Sequence, residues 1–240
     1  MQGMFITFEG PEGAGKTTVI ERLSQDLEQM GFSTLVTREP GGTPLGRHLR
    51  QLLVENHEHE PSPLTELLLY EADRVEHLAK VIRPALQEGR IVLCDRFADA
   101  TVAYQAYGRQ IDKQTVLKLN EIVLAGLKPD RTYLLDLPVD KGLARTAARS
   151  EMAGIEQEMA VRSGQYYLPL SPRKSSGDVK DESRFEKEKL AFHERVRKGY
   201  KELANAEKDR FVVVKAMMRP GAVYESVKAD LLKFIKRDSQ

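Results

Sequence analysis

The sequence predicts a three-layer α/β protein, in which a five-stranded parallel sheet is flanked by helices on both faces. Short apolar and β-branched runs alternate along the chain with longer segments of helical periodicity. Each short run is almost continuously apolar, as expected for strands that are buried on both faces of a parallel sheet. The length of 240 residues suits one domain with a substantial core, so we assign residues 1–240 to a single domain.

The predicted elements follow one another in a regular order. The first strand, over 5–8, precedes a glycine-rich stretch and a helix over 17–30 whose apolar residues recur at helical spacing. Further strands are predicted over 34–37, 91–95, 132–137 and 211–215. Further helices are predicted over 45–54, 64–86, 98–107, 114–126, 139–149, 186–206 and 222–236. Pro84 predicts a kink or break in the helix over 64–86, because proline cannot donate the helical hydrogen bond.

One long segment, over 150–183, breaks this alternation. It has weak periodicity, no strand signal and several proline, glycine and serine residues. A structureless segment of this length is either a flexible surface insertion or a lid. Arginines flank it on both sides, which favours the second interpretation, and we define residues 145–185 as a lid region with an unusual insertion.

Composition excludes several classes of protein. Lys and Arg number 37 against 36 Asp and Glu, so the net charge of +1 argues against a general nucleic-acid or membrane-surface binder. The single cysteine, Cys94, cannot form an internal disulfide, which indicates a reducing compartment. No apolar run approaches the ~20 residues that span a bilayer, and no signal peptide precedes the first strand. We therefore expect a cytoplasmic protein.

The strongest functional signal is the segment from Gly10 to Thr17. It matches the phosphate-binding pattern G-x-x-x-x-G-K-[ST] between a predicted strand and a predicted helix, which indicates a P-loop fold. The glycines let backbone N–H groups converge on phosphate oxygens. Lys16 is expected to reach the β- and γ-phosphates, and the Thr17 hydroxyl to bind Mg²⁺. The residues predicted here to bind the phosphates of a nucleotide are Gly10, Pro11, Glu12, Gly13, Ala14, Gly15, Lys16, Thr17 and Thr18.

Arginines at the ends of predicted strands indicate a second anionic substrate. Arg38 follows the second strand and Arg96 the third. Because parallel strands end at one edge of the sheet, both are expected beside the phosphate loop. Tyr70 and Arg74 are four residues apart on a helix and share a face. Guanidinium groups bind phosphate through two parallel hydrogen bonds, which suits such an acceptor site.

Three carboxylates are expected on the same edge. Asp95 ends an apolar strand, where a carboxylate can hold Mg²⁺ or its water shell. Asp136 also ends an apolar strand, so the pattern leaves both open as metal ligands. Glu9 directly precedes the phosphate loop.

Five ordered blocks of sequence resemble bacterial thymidylate kinase. They lie between the first strand and Tyr200 and are interrupted by the segment over 150–183. The blocks are FEGPEGAGKTT at 8–18, TREPGGT at 37–43, DRF at 95–97 with AYQ at 103–105, TYLLDLP at 132–138, and FHERVRKGY at 192–200.

The resemblance implies a nucleoside monophosphate kinase that converts ATP and dTMP into ADP and dTDP with Mg²⁺ as cofactor. It implies that Lys16, Arg96 and Glu9 are catalytic and that Thr17 and Asp95 hold the metal. It also implies a homodimer, with ATP and dTMP as its only ligands and no nucleic-acid or membrane partner. The dTMP-binding residues implied by the resemblance are Glu9, Arg38, Tyr70, Arg74, Arg96, Thr101, Tyr104 and Gln105.

The phosphate loop holds Glu12 where part of the family has an arginine for the transferring phosphoryl group. The resemblance is therefore to the bacterial subclass in which the lid donates that arginine. Arg145, Arg149 and Arg184 are the candidates. We assign the role to Arg149, with Arg184 as the second catalytic candidate.

Two other functions stay open at this point. Ala100 replaces the small hydroxyl residue that usually precedes Thr101, and the lid is longer than usual for the family. Both features would suit a kinase of the same fold with another deoxynucleoside monophosphate as acceptor. The third hypothesis is a catalytically silent nucleotide-binding module whose insertion docks a partner.

Overall fold

The computed structural model describes residues 3–54, 60–162, 185 and 188–238, and this part of the chain contains one five-stranded sheet. Its strands are all parallel and lie in the order β2-β3-β1-β4-β5. The strands are β1 (Met4–Glu9), β2 (Thr34–Arg38), β3 (Ile91–Asp95), β4 (Arg131–Asp136) and β5 (Phe211–Lys215). This arrangement confirms the predicted fold class.

Helices connect the strands and cover the sheet. In order along the described residues they are α1 (Lys16–Gln29), α2 (Pro44–Val54), α3 (Pro63–His77), α4 (Arg83–Gln87), α5 (Ala98–Thr101), α6 (Lys113–Leu124), α7 (Val139–Arg162), α8 (Leu190–Ala206) and α9 (Pro220–Asp238). None of these helices is both long and apolar enough to cross a membrane.

The central strand β1 shows why the sequence has continuous apolar runs. Its side chains at Ile6 and Phe8 pack into a core cluster with residues of α1 and α9. The alternate side chain, Phe5, packs on the opposite face against Ile82 and Phe97. Both faces of the strand are therefore buried, and an alternating polar pattern would place polar groups in the core.

Two segments of π-helix interrupt the predicted helices. One, over Leu78–Ile82, joins α3 to α4 directly before Pro84, so the predicted break is confirmed. The other, over Val102–Gly108, continues α5. It carries two predicted acceptor residues, Tyr104 and Gln105. No proline or glycine pair in the sequence marks this second irregularity.

The helix α7 extends beyond its predicted end at residue 149. It reaches Arg162, so the expectation that regular structure is absent over 150–183 is wrong for its first third. The added stretch, over 150–162, contains glutamate, alanine, methionine and glutamine, which favour helix even without a clear apolar periodicity. Residues 163–184, including Arg184, lie outside the described residues, and the assignment of 145–185 to a lid stays a prediction.

Candidate active site

The carboxyl ends of three neighbouring strands meet beside the glycine-rich loop. Asp95 is in register with Phe8 of β1 and with Arg38 of β2. A cavity of about 340 Å³ opens at this edge of the sheet. It is lined by Glu12 to Thr18, Arg38, Tyr70, Arg74, Asp95, Arg96, Thr101, Tyr104, Gln105, Arg149 and Phe185, among others. Most of the predicted site residues are thus brought to one cavity.

The loop between β1 and α1 requires its glycines. Gly10, Gly13 and Gly15 have φ angles of 134°, 70° and 91°, a region that other residues rarely adopt. A Cβ atom on Gly10 would lie 2.4 Å from the carbonyl oxygen of Leu135, so substitution there would also clash. Gly15 is the N-cap of α1, which directs the free N–H groups of the first helical turn toward the cavity.

Lys16 folds back over the loop. Its Nζ donates hydrogen bonds to the carbonyl oxygens of Gly10 (3.2 Å) and Pro11 (3.1 Å). Burial, reinforced by the nearby Arg96, lowers the pKa of Lys16 to about 8. An anion in the loop would stabilise the charged amine and raise this pKa again.

The structure distinguishes the two carboxylates that the sequence left open as metal ligands. The Thr17 hydroxyl donates to Asp95 Oδ2 at 3.0 Å, so these two oxygen atoms are adjacent. Asp136 instead accepts two hydrogen bonds from Arg197, at 2.7 and 3.1 Å. A hydroxyl beside a carboxylate is a donor set that Mg²⁺ accepts, and therefore the Thr17–Asp95 pair fits this ion.

Arg96 joins the phosphate loop to the other side of the cavity. Its Nη2 donates to Glu12 Oε1 at 2.9 Å, and its Nη1 donates to the Gly10 carbonyl oxygen at 2.9 Å. The Tyr104 hydroxyl donates to both carboxylate oxygens of Glu12, at 2.8 and 2.7 Å. Burial opposes ionisation of Glu12, but Arg96 and Lys16 outweigh it and lower the pKa of this carboxyl below its usual value.

Glu9 lies behind the cavity and is fully buried. Its Oε1 accepts the backbone N–H of Phe97 and its Oε2 accepts the Tyr200 hydroxyl, both at 2.8 Å. Burial, with a contribution from the negative charge of Asp99, raises the pKa of Glu9 to about 8. Glu9, Gly10 and Pro11 are the described site residues that do not line the cavity.

Arg74 is almost completely buried and is held by four neighbours. Its Nε donates to Glu39 at 2.9 Å, and its Nη2 donates to Thr101 Oγ1 at 2.8 Å. Its Nη1 donates to Glu71 at 3.1 Å and to Asn120 at 2.9 Å. The sequence pattern did not single out Glu39 or Asn120 as partners, since both are distant from Arg74 along the chain.

Two other arginines of the cavity wall have no partner among the described residues. Within the described part of the chain, the guanidinium groups of Arg38 and Arg149 form no hydrogen bond or ion pair, although both residues line the cavity. Arg145 differs, because its Nη1 lies 3.3 Å from the carbonyl oxygens of Gly13 and Ala216. Of the three lid candidates, Arg149 is thus the described residue whose guanidinium remains available for an anion.

Three further residues at the site, Glu66, Phe185 and Tyr200, were not among the residues predicted from the sequence. Gln105 Nε2 donates to the buried Glu66 at 2.9 Å. Phe185 lines the cavity, with its ring edge-on to Tyr104 at a centroid distance of 5.6 Å. The hydroxyl of Tyr200 accepts a hydrogen bond from Arg96 at 3.1 Å. Of these residues, only Tyr200 was marked in the sequence, because it ends the block FHERVRKGY at 192–200.

Comparisons with known proteins agree with this geometry. The family model described as thymidylate kinase matches residues 8–171. The chain belongs to the thymidylate kinase family. The thymidylate kinase of Desulfovibrio desulfuricans is 43% identical over 234 residues, which cover 98% of this chain and 97% of that protein. That of Desulfosudis oleivorans is 48% identical over 214 residues, or 89% of each chain.

A solved structure extends the likeness to three dimensions. The crystal structure of the thymidylate kinase from Ehrlichia chaffeensis matches with a TM-score of 0.68 and 30% identity, and the match covers 96% of this chain and 99% of that one. The family assignment therefore holds for nearly the whole length of the chain, not for the phosphate loop alone. It also confirms the function class and the enzyme assignment that the five blocks of sequence predicted.

The raised pKa of Glu9 predicts how its replacement changes stability with pH. Because the folded state holds the proton up to about pH 8 and a free glutamate loses it near 4.5, this group destabilises the fold progressively between those values. We therefore expect the unfolding free energy to fall less with rising pH across this range in the Glu9→Gln variant than in the wild type. Urea unfolding at pH 5, 6.5 and 8 measures it, and parallel curves for the two proteins would contradict the prediction.

Proposed function

We propose that this kinase transfers the γ-phosphoryl group of Mg-ATP to a phosphate oxygen of dTMP, which yields ADP and dTDP. The observation that carries the proposal is a single cavity lined by a phosphate loop and by two guanidinium groups that have no partner among the described residues. Two anionic substrates must be brought together in such a reaction, and positive charge at their junction lowers the repulsion between them.

On the ATP side, backbone N–H groups of the phosphate loop bind the β- and γ-phosphates, and Lys16 turns from its carbonyl partners to them. The hydroxyl of Thr17 and the carboxylate of Asp95 hold Mg²⁺, directly or through its water shell. This ion supplies charge neutralisation on the phosphates when bound. The adjacency of the two oxygen ligands, at 3.0 Å, supports the assignment.

On the acceptor side, Arg38 and Arg96 bind the 5′-phosphate of dTMP. Arg38 has no partner within the described part of the chain, whereas Arg96 shares its guanidinium between Glu12 and the Gly10 carbonyl group and offers its remaining donors. The ring of Tyr70 stacks on thymine, with Arg74 and Thr101 at the base. Tyr104 lies under the deoxyribose, where its ring disfavours a 2′-hydroxyl group.

No side chain is needed as a strong general base. The attacking group is a phosphate monoester, whose second pKa is ~6, so it is largely ionised near neutral pH. Glu9 then acts through its partners: it holds the Phe97 backbone and the Tyr200 hydroxyl, and so fixes the segment that carries Arg96. This assigns Glu9 a positioning role next to the reacting groups.

The acceptor preference is the first test of the proposed function. In a coupled ADP-release assay with Mg-ATP, we expect strong turnover with dTMP and little with dUMP, dCMP, dGMP, UMP or no acceptor. Preference for another deoxynucleotide would instead support the shifted-acceptor hypothesis and point to Ala100. ATP binding without turnover on any acceptor would support the silent nucleotide-binding module.

The arginine on the transferring phosphoryl group is the second test. An arginine in this role is worth ~10³–10⁵ in rate, so we expect Arg149→Ala to lower kcat by about 10³-fold or more with dTMP binding retained. Arg145→Ala serves as the comparison, because that guanidinium is already bound to two carbonyl groups. A kcat for Arg149→Ala within threefold of wild type would move the role to Arg184.

A homodimer is the third expectation. One face of α3 exposes Leu64, Leu68 and Val75, each about half accessible, and Ile122 of the neighbouring α6 is 73% accessible. Exposed apolar side chains grouped on neighbouring helices are typical of protein–protein contacts. We propose that two copies pack through this face. Sedimentation should give a dimer for wild type and a monomer for Leu68→Glu, whereas Val213→Glu on the edge strand should stay dimeric; a monomeric wild type would refute the proposal.

A further inference from the structure

We propose that Arg109 is a positioning residue for the acceptor site, which orients Gln105 and Tyr104 through two separate sets of contacts. Arg109 does not line the cavity, and neither sequence pattern nor resemblance assigned it a role. The inference rests on the proposed function, since it concerns the dTMP side of that site. It adds a residue that affects the acceptor pocket through its neighbours without lining the cavity.

The first set of contacts runs through Glu66 to Gln105. Glu66 is fully buried, and a buried carboxylate is costly without a cation and hydrogen bonds. The Nε of Arg109 donates to Glu66 at 3.2 Å, and its Nη2 lies 3.1 Å from the other carboxylate oxygen. The same carboxylate accepts Gln105 Nε2 at 2.9 Å. Arg109 thereby holds the Glu66 carboxylate in place, and Glu66 in turn holds the Gln105 amide.

The second set of contacts runs through two aromatic rings to Tyr104. The guanidinium carbon of Arg109 lies 5.4 Å from the ring centre of Phe185 and 5.0 Å from that of Phe192, within the range of cation–π attraction. Both rings are packed edge-on against Tyr104, at 5.6 and 6.1 Å. The aromatic pair therefore braces the ring that we place under the deoxyribose.

Glu188 completes the arrangement. Its carboxylate forms an ion pair with Nη1 of Arg109, so one guanidinium bridges Glu66 and Glu188. Phe185, three residues before Glu188, is thus tied to the wall of the cavity by charge as well as by packing. Loss of the guanidinium would loosen both Phe185 and Gln105, and the acceptor pocket would lose two defined side chains at once.

The backbone of Arg109 makes a contact that is independent of its side chain. Its N–H donates to the Tyr104 carbonyl oxygen at 2.8 Å, which closes the π-helical segment over Val102–Gly108. Any substitution other than proline keeps this bond. A change at Arg109 therefore tests the guanidinium and leaves the hydrogen bond that shapes the local backbone.

A matched control exists on the other side of the sheet. Arg131 begins β4, makes two hydrogen bonds with Asp230 and lies 5.2 Å from the ring centre of Phe234. Its side chain is 19% accessible, against 14% for Arg109. Replacement of Arg131 removes a comparable ion pair and aromatic contact, but at the amino-terminal end of a strand, away from the cavity.

The experiment compares Arg109→Met with Arg131→Met in the full-length enzyme. We expect Arg109→Met to raise KM for dTMP ~10-fold, with kcat and KM for ATP within about threefold of wild type, because the loss falls on acceptor binding. The preference for dTMP over its 2′-hydroxy analogue should fall as well. Arg131→Met should lower the unfolding free energy about as much as Arg109→Met does, but it should leave KM for dTMP unchanged.

Two milder variants keep the test decisive if Arg109→Met does not fold. Arg109→Lys retains the charge without the planar fork and should give a smaller rise in KM for dTMP. Glu188→Gln leaves the Glu66 pair in place and should raise KM for dTMP by about threefold. If the folded variants change KM for dTMP no more than Arg131→Met does, the positioning role is refuted. A wild type that makes no dTDP would refute the proposed function itself.

Discussion

The site depends first on the guanidinium of Arg96, which joins the phosphate loop to the acceptor side of the cavity. It contacts Glu12 and the Gly10 carbonyl group of the loop, and the Tyr200 hydroxyl of α8. Charge-assisted hydrogen bonds of this kind are strong and directional. This one cation therefore ties the loop to α8, and displacement of Arg96 would leave Glu12 and Tyr200 without a shared partner.

Buried charge keeps the acceptor wall rigid. Arg74 has carboxylates at Glu39 and Glu71 and neutral acceptors at Thr101 and Asn120. Removal of one partner from such a network typically costs ~3–5 kcal/mol, because a charge is left buried without compensation. A complete set of partners is thus the condition for burying the Arg74 guanidinium in the cavity wall. The same logic applies to Arg109 between Glu66 and Glu188.

Much of the fold followed from local patterns. All five strands lie where apolar runs predict them, and the glycines of the phosphate loop indicate a backbone that other residues rarely adopt. The local patterns did not predict two features, the end of α7 and the position of the second π-helical segment. The extension of α7 to Arg162 reflects helix propensity without periodicity, and the π-helical segment over Val102–Gly108 has no sequence marker. The roles of the individual site residues stay predictions, although their shared edge follows from the parallel sheet.

By itself the sequence determined where the five strands lie along the chain, the phosphate loop and the set of cations and carboxylates at the strand ends, because these depend on residues close together in the chain. Only the tertiary structure decided which charges are paired. It separated Asp95, beside Thr17, from Asp136, held by Arg197, and it left Arg38 and Arg149 available within the described residues while Arg74 and Arg96 were bound. Such pairs join residues far apart in sequence, and packing of distant elements selects them; no local pattern encodes that choice.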